Sequence, residues 1–390
     1  MSINLLYGFA FLIPFMIMPM VLPMVVLMAQ RKKLTDSPNA RKFQSMPVAV
    51  MGGMVIILLI SISFLVMNVF YDLTTLLPAF CVMTILFVFG MLDDIILLSW
   101  QFKLILQVFS VLLLFFGGNY GLNSLFGLFG IYTLPLGVAL VLTLFIGIML
   151  LNAVNFVDGI DGLASGLGIL VAFVMGYWNS RHGFVAQAIT SYTMVGVMSS
   201  FFIFNVFSQR YKMYMGDSGS LVLGLFIYCS ACPDPFGSAM GGFLADNYFI
   251  SFMLSLLSAM VFDLVRVALV RVLKRKSPFH PDRSHLHHVF VDAGMSHFLA
   301  TVLIMLLNSL VILVWYITSS AGMQVGLQFF VVIAAGIVFL WMPYFLIANA
   351  RDKRSRRYTV FSIRCVRVSK KIDIFYYFMR RLIDGRRRTT

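Results

Sequence analysis

Long apolar runs alternate with short polar stretches along nearly the whole chain. Runs of about 20 predominantly apolar residues are long enough to cross the hydrocarbon core of a bilayer as helices. Eleven runs approach that length, at about 4–29, 47–69, 74–92, 102–118, 134–154, 162–178, 185–206, 218–232, 248–270, 297–319 and 324–347. The pattern predicts an all-α, polytopic integral membrane protein with about 11 transmembrane helices.

The composition excludes an ordinary soluble domain. Of the 390 residues, 61% are hydrophobic and 11% are charged, and the mean hydropathy is +0.95. Soluble globular domains carry about 25% charged residues. The predicted organisation is a transmembrane domain over residues 1–350, followed by a basic cytoplasmic tail over residues 351–390.

The basic residues fall on one side of the predicted spans. Of the 29 Lys and Arg residues, 28 share one face, and only Arg181 lies on the other. Basic residues mark the cytoplasmic side of a membrane protein. An odd number of spans then places the N-terminus outside, on the periplasmic side, and the C-terminus in the cytoplasm. The first run is followed rather than preceded by basic residues, so it is expected to be a retained anchor and not a signal peptide.

Acids and histidines collect on that same predicted cytoplasmic face. A transporter more often places its ionisable groups near the bilayer midplane, between broken helices. The centres of the predicted spans are clean, which favours an active site at the membrane surface over a conduction path. A polytopic transporter or flippase for an anionic lipid or a nucleotide sugar is the alternative.

Asp93 and Asp94 stand side by side at the end of the apolar run 78–92. Adjacent carboxylates repel each other in a medium of low dielectric constant, so an ionised pair there needs a cation. A metal or phosphate site is therefore the first hypothesis. Lys103 and Gln107 follow the pair and lie one helical turn apart. Taken alone, Lys103 is equally explained as a basic anchor at the membrane surface.

A second polar motif lies between the fifth and sixth predicted spans. Asn155, Asp158 and Asp161 are spaced by three residues, and Gly159 and Gly162 lie among them. A continued helical turn would place the three polar side chains on one face, and the glycines would let a ligand approach the backbone. The alternative is a solvated helix end at which Asp161 caps the next span.

A third motif, residues 215–220, precedes the eighth predicted span. A carboxylate at Asp217 beside free N–H groups at a helix N-terminus would suit a magnesium ion together with a phosphate. The alternative is that Asp217 or Ser218 caps the helix.

A fourth motif, residues 277–288, contains Arg283, His285, His287 and His288. Zinc is disfavoured because no cysteine lies close and the neighbouring residues are Arg and Asp. Recognition of an anion by Arg283 and the imidazoles fits better. A plain basic loop is the alternative.

Taken in order along the chain, these motifs resemble the polyprenyl-phosphate N-acetylhexosamine-1-phosphate transferase family (glycosyltransferase family 4). The resemblance is strongest to its bacterial branch, which uses undecaprenyl phosphate and N-acetylglucosamine, and it extends to about residue 298. Its motifs are 36–42, Gly52–Gly53, Asp93–Asp94 with Lys103 and Gln107, 155–162, Asn205, 215–220, Asp263 and 277–288.

The resemblance implies an Mg²⁺-dependent enzyme, with Mn²⁺ as an alternative metal, whose active site faces the cytoplasm at the bacterial inner membrane. The implied reaction transfers N-acetylglucosamine-1-phosphate, or a related N-acetylhexosamine-1-phosphate, from a UDP-sugar to undecaprenyl phosphate and releases UMP. Such a reaction initiates lipid-linked cell-envelope glycan synthesis. No nucleic-acid partner is expected, and a homodimer is left open.

Matched residue by residue, the resemblance implies that Asp217 binds the metal. The implied catalytic residues are Asp93, Asp94, Asp158, Asp161, His287 and His288. The implied substrate-binding residues are Lys42, Lys103, Asn155, Asn205, Arg283 and His285. At two positions the chain departs from the family. Leu97 stands where a third Asp is common, and Gln44 stands where the basic loop often has His.

The tail carries 14 basic residues from Arg351 onward. Apolar residues alternate with other residues over 360–368, and aromatic residues lie within 375–378 between charged ends. This pattern predicts a segment that lies in the membrane plane on anionic lipids. A disordered tail is the alternative.

Overall fold

The computed structural model describes residues 2–32, 35–36, 48–232, 248–275, 277, 284–349, 365–366, 368–369 and 375–384. Most of these residues are helical. The two strands, β1 (Thr35–Asp36) and β2 (Val48–Ala49), pair in antiparallel register. Contacts divide the chain into two compact units. The first unit is Met1–Gly121, Leu140–Gly237 and Tyr376–Thr390, and the second is Leu122–Ala139 and Ser238–Phe375.

The first unit contains most of the long helices. They are α1 (Ile3–Arg31), α2 (Gly52–Phe70), α3 (Leu77–Ile96), α4 (Trp100–Gly117), α5 (Leu136–Val157), α6 (Leu163–Arg181), α7 (Val185–Phe207) and α8 (Gly216–Ala231). A 3₁₀ turn, Thr74–Leu76, leads into α3, and the first residues of α5 belong to the second unit. A further helix over residues 375–384, the tail helix, belongs to the first unit from residue 376 onward.

The second unit contains the remaining helices. They are α9 (Phe249–Leu256), α10 (Ser258–Leu273), α11 (Leu286–Asp292), α12 (His297–Ser320), α13 (Val325–Gly336) and α14 (Met342–Asn349). A 3₁₀ turn lies at Leu128–Gly130, and a π-helical stretch, Ile337–Trp341, joins α13 to α14.

Nine helices among the described residues are long and apolar enough to cross a membrane, or ten if the bent pair α9 and α10 is one span. This confirms the prediction of an all-α, polytopic membrane protein. The structure departs from the predicted eleven at two places. Helix α8 has only 16 residues, about 24 Å at 1.5 Å per residue, and the predicted span 248–270 is broken by a bend of 76°.

A buried asparagine supports the break between α9 and α10. Asn308 Oδ1 accepts hydrogen bonds from the Ala259 N–H at 2.7 Å and the Ser258 hydroxyl at 3.0 Å. Its Nδ2 donates to the Leu256 carbonyl at 3.1 Å. Backbone groups that leave a helix inside a membrane protein need partners within the protein. Asn308 provides these partners and thereby stabilises the bend between α9 and α10.

The start of α8 is packed tightly between α2 and α3. A Cβ atom at Gly90 of α3 would lie 2.5 Å from the Ser218 Cα, and one at Gly53 of α2 would lie 2.5 Å from the Gly219 backbone nitrogen. Only glycine allows such close backbone approach. The Gly53 N–H also donates to the Met215 carbonyl at 3.0 Å. The contacts fix the first turn of α8, which carries Asp217, against both helices.

Candidate active site

The Asp94 carboxylate caps the N-terminus of α8 from the neighbouring helix α3. It accepts hydrogen bonds from the Asp217 N–H at 2.8 Å, the Ser218 N–H at 3.2 Å and the Ser218 hydroxyl at 2.8 Å. The N-cap residue itself, Met215, makes no side-chain capping bond. The alternative that Asp217 or Ser218 caps the helix is therefore wrong. The expectation that these two N–H groups are free to bind a phosphate is also wrong, because Asp94 occupies them.

Asp93 has different partners, although it is the adjacent residue. Its buried carboxylate accepts a hydrogen bond from the Leu98 N–H at 2.7 Å and forms an ion pair with Lys103. The same Lys103 ammonium lies 3.0 Å from Asp217 Oδ2. One cation thus joins two carboxylates from α3 and α8. Lys103 is therefore part of the candidate site, and the alternative that it is only a basic anchor at the membrane surface does not explain these contacts.

Asn155 completes the surroundings of Asp217. Its Nδ2 donates to Asp217 Oδ1 at 2.8 Å and to the Ser220 hydroxyl at 3.0 Å. Each oxygen of Asp217 therefore has a polar partner, Asn155 on one side and Lys103 on the other. Sequence reasoning included Ser220 in the third motif but gave it no role. Its position three residues after Asp217, one turn along a helix, could have indicated it.

A small cavity opens beside these side chains. Its polar lining residues are Asp93, Lys103, Gln107, Asn152, Asn155 and Asp217. The buried Gln107 accepts a hydrogen bond of 2.8 Å from Asn152, whose amide also donates to the Ile148 carbonyl. Sequence reasoning assigned Asn152 no role. Its contact with Gln107 joins α5 to α4 at the cavity wall.

The second motif does not continue as one helical face. The Asp158 N–H still donates to the Val154 carbonyl at 3.2 Å, but α5 ends at Val157 and the next residues form a turn. Asp161 lies in that turn and forms an ion pair of 2.7 Å with Lys212. The predicted alignment of Asp161 with Asn155 is therefore wrong. Sequence reasoning also gave no role to Lys212.

Asp158 lies in a strongly negative environment. Burial raises the pKa of the Asp158 carboxyl well above its usual range, and the neighbouring charges of Asp217, Asp161 and Asp94 raise this pKa further. A carboxyl group of this kind is ready to hold a proton or to receive a cation.

Asn205 connects the turn after α5 to the segment between α7 and α8 through two hydrogen bonds. Its Oδ1 accepts a hydrogen bond from the Gly162 N–H at 2.7 Å, and its Nδ2 donates to the Met213 carbonyl at 2.8 Å. Both bonds are buried and both partners are backbone groups. The structure thus gives Asn205 a supporting role, and its contact with a substrate stays a prediction.

In the second unit, Asp263 organises the histidine motif. It accepts hydrogen bonds from the Leu286 N–H at 3.0 Å and from Arg266 Nη2 at 2.6 Å, and it lies 2.8 Å from His285 Nδ1. The Arg266 guanidinium also stacks over the Tyr344 ring at 3.5 Å. Asp263 and Arg266 thereby fix the start of α11, which carries the next two histidines.

Helix α11 contains two histidines, His287 and His288, and their ring centres lie 4.2 Å apart. His287 is buried, and its Nε2 has no hydrogen-bond partner among the described residues. Burial lowers the pKa of His287 well below its usual range, and neighbouring His288 lowers it further, although the Asp263 charge partly offsets this pKa shift. The ring of His287 is therefore neutral at neutral pH.

Lys42, Arg283 and Gln44 lie outside the described residues. Leu97 directly follows α3, adopts the left-handed conformation with φ 54°, and is 85% exposed. The proposed roles of Lys42 and Arg283 stay predictions.

Comparison with known proteins places similarity over the same part of the chain. The model of glycosyl transferase family 4 matches residues 76–232, the part of the chain that contains Asp93, Lys103, Asn155 and Asp217. An undecaprenyl-phosphate alpha-N-acetylglucosaminyl 1-phosphate transferase of Escherichia coli O157:H7 is 30% identical over 288 residues, which cover 73% of this chain and 76% of the relative. The chain belongs to glycosyl transferase family 4.

Two further relatives come from other bacteria. A Yersinia pestis protein of the same name is 30% identical over 321 residues, which cover 80% of this chain and 83% of the relative. A decaprenyl-phosphate N-acetylglucosaminephosphotransferase of Mycobacterium leprae is 33% identical over 186 residues, covering 43% and 45%.

The polar groups of this family 4 site fit a hard divalent cation. Among the described residues, no three Asp, Glu, His or Cys side chains form a cage for a metal on their own. Mg²⁺ does not need such a cage, because it is usually held by one or two carboxylates together with substrate phosphates and water. The carboxylate oxygens of Asp217 and Asp93 are possible metal ligands. They lie on either side of the Lys103 ammonium group, so the two carboxylates already share one cation.

Proposed function

We propose that this protein transfers N-acetylglucosamine-1-phosphate from UDP-N-acetylglucosamine to undecaprenyl phosphate and releases UMP. The observation that carries the proposal is the carboxylate pair Asp93 and Asp217, joined by Lys103 beside a cavity, in a chain of glycosyl transferase family 4. The family relatives named above act, by their names, on undecaprenyl or decaprenyl phosphate and N-acetylglucosamine. The product would be the first lipid-linked intermediate of a cell-envelope glycan such as O-antigen.

Charge neutralisation is the main task of a protein that transfers a phosphoryl group. Two phosphate-bearing substrates would meet beside three acids, Asp93, Asp217 and Asp158, so the site needs cations. Lys103 supplies one of them. Asp217 would hold Mg²⁺, with Mn²⁺ as the alternative. When bound, this ion would neutralise the pyrophosphate and the departing UMP.

The contacts of the adjacent acids support different roles for them. The Asp94 carboxylate is held by three hydrogen bonds at the start of α8, so it supports the position of Asp217. The Asp93 carboxylate lines the cavity. We therefore propose Asp93 as the acid that assists the attacking lipid phosphate. A covalent intermediate on Asp94 is the competing scheme, and it would require Asp94 to give up its cap.

The cytoplasmic face of the bacterial inner membrane is the proposed location. The distribution of Lys and Arg supports this orientation, with the N-terminus outside and the C-terminus inside. Anionic lipids are proposed partners of the tail helix. Its Tyr377, Phe378 and Leu382 are 57%, 61% and 67% exposed, beside the exposed Arg381. Exposed aromatic and apolar side chains next to a cation are typical of a helix at the membrane surface.

The test is metal-dependent UMP release by the purified full-length protein in detergent. With UDP-N-acetylglucosamine, undecaprenyl phosphate and Mg²⁺, we expect release of UMP that stops on chelation and returns with Mg²⁺ or Mn²⁺. Asp217→Asn should abolish it. The matched control is Asp72→Asn, because Asp72 is an exposed loop acid whose carboxylate accepts hydrogen bonds from Thr74. Parallel reactions with UDP-N-acetylgalactosamine and UDP-N-acetylmuramoyl-pentapeptide identify the donor.

Two outcomes would contradict the proposal. Binding of the substrates without any UMP release, with transport of lipid or nucleotide sugar in vesicles, would favour the transporter. Sugar-phosphate trapped on the protein without lipid acceptor would overturn direct attack and support the covalent scheme.

A further inference from the structure

The tail helix reaches the loop between α7 and α8 through one acidic residue. Asp384 Oδ1 accepts a hydrogen bond from the Ser208 hydroxyl at 2.5 Å. Asp384 Oδ2 accepts from the Gln209 N–H at 2.8 Å and from the Arg210 N–H at 3.4 Å. Three donors of one turn thus converge on a single carboxylate, and hydrogen bonds to an ionised acceptor are stronger than those between neutral groups.

The tail helix presents one face to this contact. Its less exposed side chains recur with helical spacing at Tyr376, Met379, Arg380, Ile383 and Asp384. The Tyr376 ring lies 5.9 Å from the ring of Phe207, the last residue of α7, and Arg380 contacts the Gln209 side chain. The helix is therefore seated along several residues, and Asp384 is its polar end.

The turn that Asp384 holds is itself built around Ser208. Ser208 is fully buried, and its hydroxyl also accepts a hydrogen bond from the Tyr211 N–H at 2.8 Å. The hydroxyl oxygen therefore links the Asp384 carboxylate to the backbone of residues 208–211. Without a carboxylate at 384, the Gln209 and Arg210 N–H groups would lose these protein acceptors.

This turn leads directly into the candidate active site. Lys212, the next residue, pairs with Asp161 at 2.7 Å. The Met213 carbonyl binds Asn205, and the Tyr214 carbonyl accepts the Gly52 N–H at 3.0 Å. Three residues further on lies Asp217. The conformation of residues 208–211 thus sets where the chain enters α8.

We propose that Asp384 is a positioning residue: by holding the turn 208–211 it keeps Lys212 against Asp161 and fixes the approach to Asp217. The catalytic part of this proposal rests on the proposed function, whereas the docking part does not. The tail helix then supports the transferase site and is not only a membrane-binding segment. A misplacement of about 1 Å in a site can lower turnover by 100-fold.

The experiment uses full-length Asp384→Asn, which keeps the size of the side chain and removes its charge. Amide hydrogen exchange of residues 208–214 reports on docking, and the kcat and KM of UMP release report on positioning. We expect faster exchange at Gln209, Arg210 and Tyr211, and a kcat lowered by roughly 10- to 100-fold with little change in KM. Asp72→Asn is the matched control, because its carboxylate also accepts an N–H and a hydroxyl, both from Thr74. It should change neither readout.

Ser208→Ala, alone and combined with Asp384→Asn, provides a second test. Residues that act as one unit give non-additive effects, so Ser208→Ala combined with Asp384→Asn should be no worse than the more severe single variant. Additive effects would overturn the link through Ser208.

The outcomes separate the two parts. Wild-type exchange in Asp384→Asn would overturn the docking contact. Faster exchange with wild-type kcat would overturn the positioning role. If the wild-type protein releases no UMP, the proposed function fails and the positioning role with it, while the exchange result still decides whether Asp384 holds the turn.

Discussion

Asp94 binds the backbone of Asp217: its Oδ1 accepts the Asp217 N–H at 2.8 Å across the contact between α3 and α8. Asp93, one residue earlier, instead faces the Lys103 ammonium. Two identical neighbours on one helix therefore have separate tasks. Asp94 fixes the helix that carries Asp217, and Asp93 shares a cation with the Asp217 side chain. The pair is better understood as one supporting acid and one acid of the cavity.

The first prediction separates these tasks by two matched substitutions. Asp94→Asn keeps one acceptor but places an NH₂ group among donors, so it should weaken the cap by about 1–2 kcal/mol and lower the melting temperature. Asp93→Asn should leave the melting temperature close to that of the wild type, because Lys103 still pairs with Asp217, but should lower turnover strongly. Thermal unfolding and UMP release in the same detergent provide both readouts. Equal melting temperatures for the two variants would contradict the assignment of a supporting role to Asp94 and a catalytic role to Asp93.

The second prediction concerns the close contact that brings α8 to α3. Gly90→Ala would place a methyl group 2.5 Å from the Ser218 Cα and 2.8 Å from its nitrogen. Neither backbone atom can move without shifting α8, so we expect a loss of roughly 1–3 kcal/mol in stability and reduced turnover. The control is Gly8→Ala in α1, where no heavy atom lies within 4 Å of the added carbon. There alanine should stabilise the helix by up to about 1 kcal/mol. Thermal unfolding of both variants checks the opposite signs.

The helical membrane fold could be predicted because the length and polarity of a span are local properties of the sequence. The break in the span 248–270 could not, because it depends on Asn308, which comes from α12 and satisfies the freed backbone groups. Helix α8 was also predicted as a span, and its 16 residues fall short of the length of about 20 that usually crosses a bilayer. Apolar composition alone does not distinguish a span from a short helix buried among others.

The candidate site was identified by motif and not by spacing. The resemblance named Asp93, Asp94 and Asp217 but gave no contacts, and their separate partners depend on how α3, α4 and α8 pack. Asp384 lies far along the chain from the turn that it binds, in a tail where basic residues dominate the pattern. Nothing local to Asp384 indicates that contact.

The third prediction concerns Leu97, which follows the acid pair in the left-handed conformation with φ 54°. That conformation costs most residues about 1–2 kcal/mol, whereas Asn and Asp tolerate it. Leu97→Asn should therefore raise the melting temperature. The matched control is Ile96→Asn, an exposed helical residue at the end of α3, where asparagine gains nothing. The same melting temperature change in both variants would show that polarity, and not backbone strain, is responsible.

The fourth prediction follows from the neutral, buried ring of His287 in the second unit. The unfolded chain binds a proton on this histidine at a pKa near 6.5, whereas burial and His288 lower the pKa of the folded protein well below that value. Below about pH 6.5 the unfolded state therefore binds more protons, so stability falls as the pH falls, by up to about 1.4 kcal/mol per pH unit for this one group. The melting temperature should decrease from pH 7.5 to pH 5.5, and the decrease should be smaller in His287→Asn.

His182→Asn, which replaces an exposed ring, should retain the wild-type pH dependence. An unchanged pH dependence in His287→Asn would show that a different group controls the acid stability of the protein.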